Sequence, residues 1–254
     1  MVNKMKSLYL KVDENISKYV IFSGDQRRVE VLAEMLDNAE HVALAREFST
    51  YTGYYKGQKI TVTSTGIGAP SAAIAMEEMY SNGMEVAVRM GTVMALKDNM
   101  LGKFIIPMAA MREEGTSATY APISYPAVAD IELVNCMNKT VAEFGCCYSN
   151  GINCTMDGFY SQMKESRLSK QRQTDMNETF KDLKKLNIAG IDMESSCILT
   201  LASLMGIKGC VVTMATVLEN LEAMLEGEER TQAEEILCRV VLEGLYKYEK
   251  EVSK

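Results

Sequence analysis

Tryptophan is absent from this 254-residue sequence, histidine occurs once and proline four times. A lone histidine, His41, leaves little material for a zinc site or a Ser-His-Asp relay. No N-terminal stretch has the length of a signal or membrane-spanning segment, so the expectation is a cytoplasmic chain with no membrane contact. An excess of positive charge is also missing. With a net charge of -7 the chain lacks the clustered Lys and Arg of a nucleic-acid-binding face, and any anion it holds must sit in a local pocket. Pro/Ser-rich linkers, internal repeats and low-complexity tracts are lacking too, which points to one domain over residues 1–254.

What is present suits a packed globular chain. Hydrophobic residues make up 47% and charged residues 24%, and the length is enough to bury a sizeable core. Nineteen methionines supply flexible filler for it. The seven cysteines are odd in number and scattered except for Cys146 and Cys147, so reduced thiols are expected.

Apolar runs and turn signals alternate. YVIFSGD, KITVTSTG, EVAVRMGT and KFIIPMAAM read as strands, VEVLAEML and SAAIAMEEMYSNG as helices. Further on, IAGIDMESSCILTLASLMG reads as a short strand feeding a helix and KGCVVTMATV as a buried strand. A helix is expected from about Thr231 to the C-terminus, and the polar stretch from about Met163 to Lys185 reads as an insertion or mobile flap. This rhythm predicts an α/β fold: a single domain with a central mixed, mostly parallel twisted β-sheet flanked by helices, with active groups at the carboxyl ends of strands.

Three such ends carry glycine or polar residues: IFSGDQRR, STGIGAPS and VRMGT. Glycine turns expose backbone N–H groups, and Arg28 and Arg89 would complete an anion cradle with bidentate donors. Arg89 is the oddest of these residues. It lies in EVAVRMGTVMA among Val86, Ala87, Val88 and Met90, where a guanidinium needs a compensating anion. A neighbouring carboxylate would serve, and so would a bound phosphate; the residues alone leave both open. Gly66 and Gly68 lack the full dinucleotide fingerprint and serve equally to start a helix at Pro70. Taken alone, Glu194 is equally a helix N-terminal acid, Phe159 a core aromatic, and Glu219 the start of a solvated acidic run, LENLEAMLEGEE.

Nearly the whole chain resembles the nucleoside phosphorylase family, which includes uridine phosphorylases and hexameric purine nucleoside phosphorylases. The resemblance is carried by GDQRRVE, REFSTYTGYYKGQKITVTSTGIGAPSAAIAMEEM, VRMGT, REEGTSATYAPISYPAVAD, MDGFY and DMES. It implies a pentosyltransferase that reversibly phosphorolyses a ribonucleoside to free base and ribose 1-phosphate, with no metal or organic cofactor and inorganic phosphate as co-substrate. It implies a phosphate pocket of Gly24, Arg28, Arg89 and Thr92, joined by Arg46 from the neighbouring subunit of a dimer-based homo-oligomer, commonly a hexamer. Met193 and Glu194 would hold the ribose, Tyr9 would stand where the family reaches the 5′-hydroxyl with a histidine, and Phe159 would stack on the base.

Departures from the family pattern gather at the base. Gln26 replaces a proline, and Met94 stands where the family has glycine, expected either to crowd the base or to strain the backbone. The uracil clamp is not intact: Gln162 falls one place early and Glu165 lies near the arginine position. TVLEN stands where purine enzymes have an acid after TVSD, giving Glu219 the general-acid role if a small insertion is allowed and Val217 if it is not. The substrate is thus uridine or a purine nucleoside such as adenosine or inosine. Two other readings stand beside it: a catalytically impaired nucleoside-binding or storage protein, and a hydrolytic nucleosidase. For a phosphorylase, Arg89→Ala is expected to lose phosphate but keep its fold.

Overall fold

The structure is a computed structural model that describes residues 7–97, 99–173, 175–221 and 223–252. Strand β1 (Tyr19–Ser23) leads into α1 (Gln26–Glu34), then into an antiparallel run of β2 (Asp37–Ala45), β3 (Phe48–Tyr55) and β4 (Gln58–Ser64). Next come α2 (Ala69–Ser81), β5 (Val86–Ala95), β6 (Phe104–Ile105), β7 (Ala109–Glu113), α3 (Thr116–Tyr120) and β8 (Ala127–Val128). The second half holds α4 (Ile131–Glu143), β9 (Tyr148–Ser149), β10 (Ile152–Met156), a π-helical turn at Phe159–Met163, α5 (Arg167–Gln171) and α6 (Met176–Lys185). It ends with β11 (Ile188–Asp192), α7 (Ser195–Met205), β12 (Lys208–Leu218), a 3-10 turn at Glu219–Leu221 and α8 (Gly227–Val252).

The strands join in one mixed sheet ordered β2-β3-β4-β1-β5-β11-β10-β7-β8, with β12 branching from β5. Strand β1 is parallel to β4 and β5, β12 is parallel to β5, and β10 is parallel to β7 and β11. Central strands buried on both faces read as continuous apolar runs, as YVIFS and VAVRM do.

Alternation along those strands separates two apolar layers. Tyr19, Ile21, Val88 and Met90 pack on the side of α4 and α8, with Met137, Leu237 and Val241. Val20, Phe22 and Ala87 face the opposite way, onto Met76 of α2 and Ile198 and Leu201 of α7. Arg89 shares the phase of Ala87, so the strand sends its side chain towards α7.

Strand β5 also fixes where the sheet opens. Its pairing with β12 runs from Val86 to Ala95, interrupted by a bulge at Thr216. On its other edge β1 accompanies it only as far as Met90, and β11 joins only at Met94 and Ala95. Between the two, Gly91, Thr92 and Val93 line a cleft instead of a ladder.

Several segments differ from their sequence reading. KFIIPMAAM is two short strands parted at Pro107, a residue with no N–H to give a ladder. The polar stretch 163–185 is mostly helical: Asp175 caps α6 by accepting from the N–H groups of Asn177 and Glu178, while Met176, Phe180 and Leu183 turn one face inward. The C-terminal helix starts at Gly227, a turn before Thr231. All seven cysteines are unpaired, and burial pushes the thiols of Cys154, Cys210 and Cys238 up to about 12, which leaves them unreactive. Among the described residues no helix is long and apolar enough to cross a membrane.

Candidate active site

The cleft has a volume of about 870 Å³, within the range that encloses a small organic ligand. Arg89 stands at its centre, 4% exposed. Its Nε lies 3.1 Å from Asp192 Oδ2 and its Nη2 lies 2.6 Å from Glu194 Oε2. Asp192 ends β11 and Glu194 stands just before α7 at its N-cap position, so the short DMES step sets two buried carboxylates on one guanidinium. Asp192 is fully occupied: the Thr155 hydroxyl donates to Oδ1 at 2.9 Å, and Ser195 donates both its N–H and its hydroxyl. Glu194 Oε1 accepts the Gly68 N–H at 2.6 Å. Burial raises the Glu194 carboxyl pKa against the pull of Arg89.

In this structure the anion opposite Arg89 is therefore protein carboxylate. The expectation that Arg89→Ala keeps its fold is revised accordingly, because deleting the guanidinium strands two buried acids. Packing around the pair is tight. A Cβ on Gly91 would lie 3.0 Å from Arg89 Cζ, so glycine at that position lets the guanidinium fold back along the strand.

Arg28 is the contrasting case. It is 8% exposed, its nearest acid is Asp25 at 3.7 Å, and its Nε and Nη1 are buried without a hydrogen-bond partner. Burial lowers its pKa, Glu234 and Asp25 oppose that, and Arg89 adds to it. A buried cation with two open donors calls for an anion. Gly24, Asp25 and Gln26 at the N-terminus of α1 line the same end of the cleft, as does Thr92, and the helix dipole there favours negative charge. Gly24 permits close approach: a Cβ there would lie 3.2 Å from the Gly66 carbonyl oxygen.

At the rim, Arg46 occupies the β2–β3 turn with φ +58, exposed, its guanidinium 5.2 Å from the centre of the Tyr9 ring. Gln26 ties this turn to α1 by donating to the Arg46 carbonyl at 3.3 Å, the use made of a position where proline would have no amide to give. Tyr9 is held from below. Glu78 of α2 accepts the N–H groups of Leu8, Tyr9 and Leu10 and the Ser7 hydroxyl; desolvation works against its charge, but the four donors prevail and hold its carboxyl below the usual range. Within one chain Arg46 lines that chain's own cleft, and Tyr9 stands beside it outside the lining.

The opposite end of the cleft is apolar. Phe159, Met163, Met94, Ile191 and Val217 line it, with Met193 between it and Glu194. Met94 lies in strand β5 at 4% exposure and is absent from the residues with positive φ, so the expected backbone strain does not arise. Two residues expected here are elsewhere. Gln162 turns back to accept the Gly158 N–H at 2.8 Å, and Met163 takes the inward place. Glu219 lies outside the lining, its Oε1 2.6 Å from Lys184 Nζ of α6, and the bulge at Thr216 directs Val217 into the cleft instead.

The family described as the phosphorylase superfamily matches residues 18–245. The chain belongs to the phosphorylase superfamily. Among its relatives, a uridine phosphorylase of Thermococcus kodakarensis is 37% identical over 199 residues, covering 78% of this chain and 72% of that one. A guanosine phosphorylase of Halorubrum lacusprofundi is 33% identical over 216 residues, covering 82% and 83%. The crystal structure of uridine phosphorylase from Vibrio fischeri superposes with a TM-score of 0.83 at 30% identity, covering 97% of this chain and all of that one.

Within this superfamily member, three site residues escaped sequence reasoning. Asp192, which lines the cleft, holds Arg89, and Thr155 holds Asp192 from outside the lining. The signal for Asp192 was nonetheless there, a carboxylate two places before Glu194 at a strand end. Gly91 follows Arg89 by two, so their side-chain positions share one face of β5, which makes a small residue there readable in advance.

Proposed function

We propose that this chain catalyses reversible phosphorolysis of uridine to uracil and ribose 1-phosphate. The observation that carries the reading is Arg28: a buried guanidinium with no acid nearer than 3.7 Å, lining a cleft that also contains a helix N-terminus and Thr92. Phosphate seated there lies beneath a ribose whose hydroxyls reach Glu194. That carboxylate is aimed by the Gly68 N–H and Arg89, and its remaining lone pairs accept the 2′- and 3′-hydroxyls while its charge favours the cation-like sugar as the bond to the base lengthens. Met193 packs on the sugar and Phe159 on the base. Positioning of phosphate against the anomeric carbon does most of the work, and no metal or organic cofactor is required.

Uridine is preferred over a purine because the acid a purine would need, Glu219, is engaged by Lys184 outside the cleft. The uridine phosphorylases among the relatives support the same choice. A second copy belongs to the reading. Leu8, Leu44 and Ile67 are 59%, 64% and 76% exposed beside Tyr9, Arg46 and the Gly66 turn, an apolar rim that docking of another chain would cover. Such docking would close the rim beside Arg46 and Tyr9, within dimers that assemble into a hexamer; for Arg46 to reach a neighbour's cleft its side chain would have to leave the one it lines here.

The test is release of uracil from uridine, with adenosine and inosine alongside, each with and without phosphate. Strict phosphate dependence with uridine turned over fastest is expected. Release indifferent to phosphate would make the chain a nucleosidase, and binding without any release would make it a storage protein.

A further inference from the structure

Arg28 lines two cavities: the cleft, and a second of about 390 Å³ whose other residues come from α1 and α8, among them Val31, Thr231, Glu234 and Cys238. A buried cation answers to the anions on every side of it. Asp25, at the cleft end, lies 3.7 Å away, but its side chain is nearly half exposed and solvent screens it. Glu234 approaches from α8 and is the better shielded of the two. Burial weighs against the charge on Arg28, and of the acids that oppose burial Glu234 acts most strongly, ahead of Asp25.

Glu234 does this without bonding Arg28. Its Oε1 lies instead 3.1 Å from Nε of Arg230, four residues earlier on α8. That ion pair is poorly placed to strengthen the helix. A cation near a helix N-terminus opposes the dipole, and a basic residue four places before an acidic one is the weaker order; the adjacent Glu235–Arg239 pair has the stronger one. What the Arg230–Glu234 pair does accomplish is to occupy the carboxylate that would otherwise partner Arg28.

We propose that Glu234 is a positioning residue that sets phosphate affinity through Arg28. Tethered by Arg230, it keeps the guanidinium charged from the α8 side and leaves it to the oxyanion; released, it competes with the oxyanion for the same donors. The inference rests on Arg28 being the phosphate ligand proposed above. It gives the two members of one ion pair opposite roles: Glu234→Gln removes the competitor, whereas Arg230→Gln frees it.

Phosphate calorimetry and steady-state kinetics test this on the full chain, Glu234→Gln, Arg230→Gln, the double variant and Arg28→Met, with melting temperatures confirming that each is folded. Both the Kd and the KM for phosphate are expected to fall at least about threefold in Glu234→Gln and to rise by a similar factor in Arg230→Gln, the scale of one partly shielded charge, with the KM for uridine unchanged. The double variant should match Glu234→Gln, because Arg230 has nothing to restrain once the acid is gone. Single variants that shift phosphate affinity in the same direction, or not at all, overturn the inference. So does a double variant that returns to the parent's affinity, which would leave only a sum of charges. Phosphate binding retained in Arg28→Met would instead remove the proposed phosphate site, and the role of Glu234 with it; binding lost there, with no split between the single variants, overturns the role of Glu234 alone.

Discussion

The two ends of the cleft are built on opposite principles. At the polar end, charged groups are buried, and all but Arg28 are closely held: Arg89 by Asp192 and Glu194, Asp192 by Thr155 and Ser195, Glu194 by Gly68. At the base end, Met94, Phe159, Met163 and Val217 offer contact area with few hydrogen bonds. The first end is rigid because an unpaired charge in low dielectric is expensive; the second adapts because thioethers repack at little cost. On the function proposed above, chemistry common to all nucleosides would fall at the rigid end, and recognition of one base at the adaptable end.

The sharpest test of the contrast lies within the rigid end, between its two arginines. Arg89→Met leaves two buried carboxylates without their cation, and a loss of about 3–5 kcal/mol in stability is expected together with loss of activity. Denaturant titration checks it, and an unchanged midpoint would show that Arg89 holds no such pair. Arg28→Met should do the reverse. Two of its donors already lack hydrogen-bond partners and its nearest acid is 3.7 Å away, so an apolar side chain of similar length should leave the melting temperature level or raised while turnover falls by about a thousandfold, the scale for losing a transition-state donor. Phosphate binding by calorimetry and a thermal melt on the same sample decide the matter. A variant that unfolds yet binds phosphate normally would remove the reason for placing the oxyanion at Arg28.

Gly91→Ala probes the same end more gently. The added methyl meets Arg89 Cζ at 3.0 Å and pushes the guanidinium, and with it Glu194, by a fraction of an ångström. Misplacement on that scale is expected to cost up to about a hundredfold in kcat with modest change in stability. If kcat stays within twofold of the parent, Arg89 does not orient Glu194 for catalysis.

The same contrast explains what could be read from the sequence. Strands β1, β4, β5 and β12 and helices α2, α7 and α8 were legible because their apolar runs and turn signals lie within single short segments. So was the polar end of the site, since GDQRR, VRMGT and DMES each deliver their residues from a few consecutive positions. The apolar end was legible only in part: Phe159 and Met94 line it as expected, while Gln162 and Glu219 do not. It is assembled from β5, a π-helical turn, β11 and the bulged end of β12, and α6 packs behind it from the stretch expected to be an insertion or mobile flap. A bulge and a π turn each shift register by one residue; one residue separates Gln162 from Met163, and two separate Val217 from Glu219. Arg89 shows a different limit. The sequence could show that it needed an anion, but choosing among the acids required their positions in space.

The smallest effect, and the one that tests the adaptable end, is Met163→Gln. Met163 is 3% exposed in the apolar cluster with Met94, Phe159 and Phe180. A glutamine there buries an amide with no partner in the empty cleft, which should lower stability by about 1–3 kcal/mol. Uridine supplies that partner through the polar edge of its base, so the variant should recover more melting temperature on adding uridine than the parent gains, and its KM for uridine should fall several-fold while kcat is little changed. The phosphate end, untouched, should show the parent's phosphate KM. If uridine rescues the variant no better than it shifts the parent, the base does not lie against Met163, and the apolar end of the cleft has another occupant.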